Sequence, residues 1–323
     1  MTKIRDELKA VGEPLVRSAF DDILSSKIPS LTAKKIIRKF SRRWKDYARP
    51  ALMVFACKSV RGDPSLVYPA VKALVLSGGA FDLHDDIIDR SYVRKEKKRR
   101  SLLGVYGAEA ILLVGDALLV GGLSYLYRLR DTLPKDRFED VVETIKRGLF
   151  ELGSAEMEEL KLIRNLQVTP KKYLQIVHMK AADVESYTRV GGIIGGGSKE
   201  EIDALGRFGR LLGIIAILRD DIEDTFNDKV ELSSRITKES LPLPIVLSLS
   251  DPSLKLKLQK IYASITNLIE PLENEDLCKV LSMVEKNKGF EKAVGIIEQY
   301  IKEAKSSIEG LKEPQLLLSL FKS

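Results

Sequence analysis

The sequence is poor in cysteine. Its 323 residues include only Cys57 and Cys278, far too few for the disulfide framework of a small secreted protein. Such sparse cysteine is typical of a chain that works in a reducing compartment. We therefore expect the protein to be cytoplasmic.

The sequence also lacks long apolar runs. The longest lies near Ala110–Gly122 and is interrupted by Asp116, so it is shorter than the roughly 20 residues that span a bilayer. The stretch from Met1 to Leu15 is charged and polar, without the apolar segment of a signal sequence. These absences predict a soluble protein without a transmembrane segment.

Recognised nucleic-acid-binding motifs are absent as well, although the net charge is +7. The basic residues are concentrated in Lys34–Arg49 and Arg94–Arg100. A basic balance alone would allow a nucleic-acid partner, but the chain's clustered aspartates would repel phosphate unless a metal ion intervened. Basic groups beside an acidic, metal-binding centre favour a diphosphate ligand, and we expect no nucleic-acid partner.

Strand-like alternation is scarce, and apolar residues recur with a helical period through nearly the whole chain. The dipeptides Asp63-Pro64 and Thr169-Pro170 place a capping side chain before a proline at the first helical position. No linker or shift in composition divides the chain. We predict a single all-α domain over residues 1–323, a large helical bundle with a central apolar cavity.

Two aspartate-rich motifs dominate the chain. They comprise Asp85, Asp86 and Asp89 in the first motif and Asp220, Asp221 and Asp224 in the second. In each motif the first and last carboxylates are one helical turn apart on the same face. Like charges this close repel, whereas clustered oxygens suit Mg²⁺, which binds carboxylates together with waters and substrate phosphates. The motifs therefore predict a magnesium site that binds a diphosphate.

These motifs and the segments around them resemble the trans-isoprenyl diphosphate synthases of the polyprenyl synthetase family. The resemblance runs from about Arg49-Pro50 to the C-terminal helices. It is strongest in three segments, which are His84–Asp89, Gly107–Ala110 and Gly115–Leu119. It implies the all-α isoprenoid-synthase fold and usually a homodimer, while a heterodimer stays open.

The resemblance also implies a reaction. Three Mg²⁺ ions held by the two motifs would bind an allylic prenyl diphosphate, whose ionisation gives an allylic cation. The double bond of isopentenyl diphosphate attacks that cation, and proton loss yields a trans-prenyl diphosphate five carbons longer. Carboxylate-held metal and cationic side chains suit this chemistry because stabilisation of the leaving diphosphate is electrostatic.

The family's site residues can be carried over to positions of this chain. The resemblance implies that Asp85, Asp86 and Asp89 bind two metal ions. It implies that Asp220 is the main ligand of the third ion and that Asp221 and Asp224 support this ion through water. Arg94 and Lys180 would bind the allylic diphosphate, and Lys238 would be the lysine of the loop after the second motif. Lys180 and the carboxylates Asp85, Asp86, Asp89 and Asp220 would then be the catalytic residues.

The predicted site for isopentenyl diphosphate departs from the family pattern. Arg49 is retained, but Asp46 stands where the family has a lysine that contacts the diphosphate. Gly78 replaces a histidine or glutamine, and Lys95 replaces the family's second arginine without its bidentate geometry. These changes reverse or remove contacts to the second substrate, while the metal ligands are kept.

Three interpretations fit this pattern. The first is a prenyltransferase with an unusual isopentenyl diphosphate site. The second is a terpene-synthase-like enzyme that ionises an allylic diphosphate alone; Asp220, Asp224 and Asp228 share the spacing of the terpene-synthase metal motif. The third is a non-catalytic or regulatory subunit of a heteromeric prenyl synthase, against which the complete set of metal ligands argues. We adopt the first.

Product length depends on the residues just before the first motif. The resemblance places Phe81 and Ala80 at the floor of the product pocket. Because the size of a pocket limits its ligand, a phenylalanine there predicts short products of about fifteen to twenty carbons.

Overall fold

The computed structural model describes residues 2–94, 99–265 and 272–321. The described chain is helical apart from a two-stranded antiparallel ribbon and a few 3₁₀ turns. The helices are α1 (Thr2–Ser25), α2 (Leu31–Ser41), α3 (Ala48–Ser59), α4 (Tyr68–Ile88), α5 (Leu102–Tyr106), α6 (Ala108–Arg128), α7 (Lys135–Leu160), α8 (Pro170–Lys180), α9 (Ala182–Ile194), α10 (Lys199–Phe226), α11 (Lys229–Thr237), α12 (Leu243–Val246), α13 (Pro252–Ser264), α14 (Asn274–Lys286), α15 (Gly289–Ser307) and α16 (Gln315–Leu318). The all-α prediction is confirmed.

The ribbon pairs β1 (Val93–Arg94) with β2 (Arg99–Arg100), and Val93 lies opposite Arg100. It follows the first aspartate motif directly along the chain. The backbone of Arg94 therefore lies in β1, whereas Lys95, the other basic residue predicted to bind substrate here, lies outside the described residues.

Both predicted capping signals are confirmed. The Asp63 carboxylate accepts the Ser65 N–H at 2.9 Å and begins a 3₁₀ turn at Pro64–Val67. The Thr169 hydroxyl accepts the Lys172 N–H at 3.2 Å and begins α8. Each cap satisfies a backbone donor that the helix itself leaves unpaired, and the proline that follows has no N–H to satisfy.

The described residues group into two compact units, which we treat separately. The first unit comprises residues 1–147, 184–208 and 307–323, and the second comprises residues 148–183 and 209–306. Helices α7, α9 and α10 each contribute residues to both units. One domain over residues 1–323 stays a prediction.

In the first unit, α4 packs along α6. The two backbones approach closely at Gly122, where a Cβ atom would lie 2.6 Å from the carbonyl oxygen of Ala73. Below this contact, Leu76, Leu83 and Leu118 are fully buried. Burial on this scale contributes about 1.5–3 kcal/mol for each leucine. It fixes α4, the helix that carries the first aspartate motif.

In the second unit, α11 and α13 both pack against α14, and α12 packs against α8. The core of this unit is aliphatic. Its side chains with 2% exposure or less include Ile176, Leu232, Ile236, Leu258 and Val280. This core supports the C-terminal part of α10, which carries the second aspartate motif.

Among the residues that the structure describes, two helical stretches are long and apolar enough, by length and composition alone, to cross a membrane. They are Pro64–Ile88 and Ala108–Asp131, and within the protein 61% and 44% of their most apolar windows are buried. Each stretch includes isolated charges, so neither forms an uninterrupted apolar run in the sequence. Core helices of packed bundles share the same composition.

Candidate active site

The first aspartate motif occupies the last turn of α4. Asp85 is exposed, whereas Asp86 and Asp89 are half-buried, and Asp89 caps the C-terminus of the helix. Asp82, one turn earlier and also exposed, extends the row of carboxylates toward the N-terminus. Its spacing of three residues from Asp85 was the signal that the sequence analysis overlooked.

The second motif lies in the last two turns of α10, which ends at Phe226. Asp220 is exposed and Asp224 is half-buried, whereas Asp221 is only 2% exposed. Two adjacent aspartates of one motif therefore occupy opposite environments. One is accessible to a ligand from solvent, and the other is enclosed in the core.

Both motifs place negative charge at the negative end of a helix. The carbonyl groups at a helix C-terminus favour a cation there and disfavour a carboxylate. Neither α4 nor α10 has a basic residue in its last turn. Each helix end thus presents clustered carboxylate oxygens where a divalent cation would be favoured.

The carboxylate oxygens suit Mg²⁺ by their chemistry. Within residues 2–94, 99–265 and 272–321, no three carboxylate, thiol or imidazole groups converge closely enough to enclose a metal ion. Mg²⁺ does not require such a cage, because it commonly binds one or two carboxylates and completes its octahedron with waters and substrate phosphates. The donors therefore fit an ion that binds together with a diphosphate.

His84 is held beside the first motif by two residues of α6. Its Nε2 atom lies 3.3 Å from the Asp116 carboxylate. It also occupies the space beside Gly115, where a Cβ atom would come within 2.4 Å of Nε2. Although Asp116 interrupts the longest apolar run of the sequence, 58% of its side chain is exposed.

The substitution Gly115→Ala is expected to destabilise the protein by about 1–3 kcal/mol, because the new methyl group must displace His84 in a packed interior. Movement of His84 would also disturb the adjacent Asp85 and lower enzyme activity. Thermal melting and steady-state kinetics would measure the two effects.

Gly153→Ala is the matched control, because no atom lies within 4 Å of the Cβ position at this glycine of α7. It should stabilise the helix by about 0.5–1 kcal/mol. Equal stability of the two variants would contradict the packing role of Gly115.

An internal ion pair occupies the predicted isopentenyl diphosphate site. The Arg49 guanidinium lies 2.7 Å from the Asp46 carboxylate, and the Arg49 backbone N–H also donates to Asp46 at 3.2 Å. Their side chains are 42% and 20% exposed. The carboxylate that replaces the family's lysine therefore pairs with the retained arginine.

Trp44 contacts two further residues of the same region, Asp82 and Gly78. Its indole N–H donates to the Asp82 carboxylate, and its ring lies 3.7 Å from the position of a Cβ atom on Gly78. Although Asp82 is partly open to solvent, surrounding protein atoms desolvate its carboxylate and raise its pKa to about 6. The Trp44 and Arg49 groups act in the opposite direction, while Asp85 adds repulsion.

Asp221 is the centre of a buried polar network in the second unit. Its Oδ2 atom accepts the Tyr173 hydroxyl at 2.7 Å and the Leu243 backbone N–H at 3.0 Å. Its Oδ1 atom accepts a guanidinium N–H from Arg235 at 2.7 Å. These contacts give Asp221 a structural role. That it also supports a metal ion through a bound water stays a prediction.

Burial raises the pKa of Asp221, because a charge in the core loses its hydration. Arg235, the Tyr173 hydroxyl and the Leu243 N–H lower it in opposition. Such a pair is stable only while both partners remain, since a lone buried charge is costly.

Lys180, at the end of α8, is bound by two glutamates of α7. Its ammonium group contacts the Glu159 carboxylate and lies 3.2 Å from that of Glu156. The Ser240 hydroxyl donates to Glu159 at 2.6 Å. Burial alone would lower the pKa of Lys180, but the two carboxylates raise it above its ordinary value. Lys180 is therefore a fixed cation, and the glutamates that hold it were missed at the sequence level.

The remaining predicted residues lie on several elements. Phe81 is half-buried on α4, with its ring edge-on to His84 at 6.4 Å. Lys238 is half-buried at the C-terminus of α11. Asp228 does not continue the helical spacing of the second motif, because it lies beyond the end of α10. It caps α11 by accepting the Val230 N–H at 2.8 Å.

Comparison with known proteins places these features in a family. The sequence model of the family described as polyprenyl synthetase matches residues 36–275. The short chain isoprenyl diphosphate synthase of Methanothermobacter thermautotrophicus is 24% identical over 270 residues, which cover 82% of this chain and 80% of that protein. A second relative comes from Arabidopsis thaliana and is the heterodimeric geranylgeranyl pyrophosphate synthase large subunit 1, chloroplastic. It is 28% identical over 207 residues, which cover 59% of this chain and 53% of that protein.

A solved structure shows the same fold. The geranylgeranyl pyrophosphate synthetase of Pyrococcus horikoshii superposes with a TM-score of 0.85 at 24% identity, over 98% of both chains. The predicted isoprenoid-synthase fold is thereby confirmed.

Proposed function

The chain belongs to the polyprenyl synthetase family, and from this premise we propose that it is a Mg²⁺-dependent prenyltransferase. It condenses an allylic prenyl diphosphate with isopentenyl diphosphate to give a trans-prenyl diphosphate of about fifteen to twenty carbons. The observation that carries the proposal is the pair of aspartate motifs, each at the C-terminal end of a long helix and each with at least one exposed carboxylate.

Asp85, Asp86 and Asp89 and the second-motif residues Asp220, Asp221 and Asp224 are the proposed metal ligands. Bound Mg²⁺, three ions in this proposal, would neutralise the diphosphate as it leaves the allylic carbon. Asp220 is the strongest candidate of its motif because it is exposed.

Cationic side chains complete the proposed substrate site. Lys180 is the proposed contact of α8 for the allylic diphosphate. Glu156 and Glu159 fix its position, and because they also offset its charge, the diphosphate would compete with them for the ammonium group. Arg94, Lys95 and Lys238 are further proposed diphosphate contacts, and Arg49 is the proposed contact for isopentenyl diphosphate. An arginine suits that role because its guanidinium can bind phosphate oxygens with two parallel hydrogen bonds.

The test is a product assay with purified protein and Mg²⁺. Dimethylallyl, geranyl, farnesyl and geranylgeranyl diphosphates are each incubated with and without isopentenyl diphosphate, and extracts are analysed for diphosphates, hydrocarbons, alcohols and released pyrophosphate. Longer diphosphates that require isopentenyl diphosphate are the expected result. Their absence from every reaction would contradict the proposal and favour a non-catalytic subunit.

The Asp46–Arg49 ion pair favours a second candidate function. If Arg49 is neutralised by Asp46 and cannot bind a second diphosphate, the enzyme would ionise an allylic diphosphate alone, as a terpene synthase does. Pyrophosphate and hydrocarbon released without isopentenyl diphosphate would identify this activity.

The variant Asp46→Asn is expected to lower the KM for isopentenyl diphosphate about five- to tenfold, because it frees Arg49 from an ion pair worth up to about 1 kcal/mol and removes a repulsive charge. The KM for the allylic substrate should not change. Steady-state kinetics with each substrate varied in turn would measure both constants.

Arg49→Gln serves as the opposite control and should raise the KM for isopentenyl diphosphate. Asp140→Asn, at an exposed aspartate of the first unit, controls for the loss of one negative charge. An unchanged KM in Asp46→Asn, with normal turnover, would show that the ion pair does not limit binding of the second substrate.

The variant Phe81→Ala is expected to lengthen the main product by at least one isoprene unit, because it removes a ring that we propose forms the floor of the product pocket. Mass spectrometry of the diphosphate products would show the shift. Phe290→Ala, which removes another partly exposed ring in an edge-on aromatic pair, should leave the product length unchanged. An unaltered product from Phe81→Ala would contradict this position for the pocket floor.

We also propose a homodimer in the cytoplasm. Helix α6 exposes an apolar stripe at heptad-like spacing, formed by Leu113, Val120, Leu123 and Tyr127, and exposed patches of this kind commonly mark interfaces. Sedimentation velocity is expected to show a particle of two 36.1-kDa chains. A monomer that becomes active only with a second, different chain would instead indicate a heteromeric synthase.

A further inference from the structure

A cavity of about 1110 Å³ lies in the first unit, between α1, α2 and the segment that leads from α2 to α3. None of the predicted site residues that the structure describes lines it. Its lining residues are Arg5, Asp6, Lys9, Glu13, Val16, Arg17, Phe20, Asp21, Leu24, Arg38, Ser41, Arg42, Trp44, Lys45 and Tyr47. Its volume is slightly above the roughly 300–1,000 Å³ of small-molecule sites.

The rim of the cavity carries an excess of positive charge. Arg17 is paired with Glu13 at 2.7 Å. The other cations of the lining form no ion pair within the part of the chain that the structure describes. They are Arg5, Lys9, Arg38, Arg42 and Lys45, and only Asp6 and Asp21 remain to oppose them. Cations from three separate segments thus surround one opening, which favours a compact anion of high charge.

The inner wall of the cavity is apolar and aromatic. Phe20 and Val16 are each 2% exposed, and Trp44 is half-buried with its ring edge-on to Phe20 at 5.6 Å. Leu24 extends this surface along α1. A cationic rim above an apolar wall matches a ligand with a charged head and a hydrocarbon tail.

We propose that this cavity is a second anion site, which binds the diphosphate group of a prenyl diphosphate with its chain against Trp44 and Phe20. Recognition of the diphosphate follows from the charges, whereas the choice of a prenyl chain rests on the proposed function. An anionic membrane surface is the less suitable partner, because the cations surround a cavity and do not form a flat face.

Trp44 connects the cavity to the first aspartate motif. Its ring lines the cavity, and its N–H donates to Asp82, one turn from Asp85 on the same helix. A ligand that shifts the Trp44 ring therefore acts on a direct partner of α4. This contact gives the second site a route by which product could influence the metal-binding carboxylates.

The test uses Trp44 as its reporter, because it is the single tryptophan of the chain. The full-length protein is titrated with inorganic pyrophosphate and, separately, with geranylgeranyl diphosphate below its micelle concentration. Both titrations contain EDTA, so that metal-dependent binding is suppressed, and are run at pH 8, well above the pKa of Asp82. A saturable change in Trp44 fluorescence with both ligands, tighter for the prenyl diphosphate, is the expected result.

Two matched double variants locate the site. Arg38→Gln/Arg42→Gln removes two cations of the lining and should raise the dissociation constants of both ligands at least about tenfold. Lys35→Gln/Arg43→Gln removes two exposed cations of the same region that do not line the cavity and should bind as the parent does. Circular dichroism and melting temperatures establish that both variants fold.

Other outcomes would overturn the proposal. Equal weakening in both double variants would indicate a diffuse charge effect. Loss of the signal in Arg49→Gln, with binding retained in Arg38→Gln/Arg42→Gln, would place the ligand at the Asp46–Arg49 site. A response to phosphatidylglycerol vesicles and not to free diphosphates would assign the surface to membranes. Because binding is measured without turnover, these results are independent of the product assay.

Discussion

Replacing Asp85 with asparagine is expected to lower kcat about 100- to 1000-fold, the scale of loss when one preorganised electrostatic group is removed from an active site. The folded state should not weaken. Asp85 is exposed at the C-terminal end of α4 and asparagine has nearly the same size, so the change in melting temperature should be small. Product assays and thermal melting of the same preparation would measure both quantities.

A ligand-induced stability shift separates metal binding from other causes of inactivity. Mg²⁺ with inorganic pyrophosphate should raise the melting temperature of the parent protein, because a ligand that binds only the native state stabilises it, and this rise should shrink in Asp85→Asn. Asp140→Asn, at an exposed aspartate of α7, controls for the lost charge. Turnover within about twofold of the parent in Asp85→Asn would refute the catalytic role of the first motif.

The fold was predictable from the sequence to the level of its helices. The caps at Asp63 and Thr169 act through local hydrogen bonds between residues two or three apart, so the sequence contains all the information that sets them. The ribbon at β1 and β2 was not foreseen, since two strands of two residues each leave no measurable alternation.

The aspartate motifs were recognised, but not the different environments within them. Asp220 and Asp221 are adjacent in sequence and chemically identical, yet only Asp221 meets Tyr173, Arg235 and the Leu243 N–H. Those partners lie at least 14 residues away along the chain, and no local pattern reports such contacts. The sequence showed that Asp46 replaces a lysine of the isopentenyl diphosphate site, but only the structure showed that Asp46 forms an ion pair with Arg49.

This difference predicts that two neighbouring substitutions will have opposite effects. Asp221→Ala is expected to lower the free energy of unfolding by about 3–5 kcal/mol, because it removes the nearest anion from the Arg235 guanidinium, which is only 14% exposed and keeps only the more distant Glu239 carboxylate at 3.7 Å. Asp220→Ala, at an exposed position, should change stability by less than about 0.5 kcal/mol while lowering kcat about 100-fold or more. Denaturant unfolding and product assays on both variants would measure the contrast.

A second substitution tests the physical cause of the stability loss. Adding Arg235→Met to Asp221→Ala should recover part of the lost stability, because the buried cation that has lost its nearest anion is then replaced by an apolar side chain of similar length. A further decrease would mean that Arg235 stabilises the unit through Tyr173 or Glu239 even without Asp221. Equal loss of stability in Asp220→Ala and Asp221→Ala would refute the distinction between an exposed, metal-binding Asp220 and a buried, structural Asp221. The motif would then be one structural cluster, and the assignment of Asp220 to the metal would lose its basis in exposure.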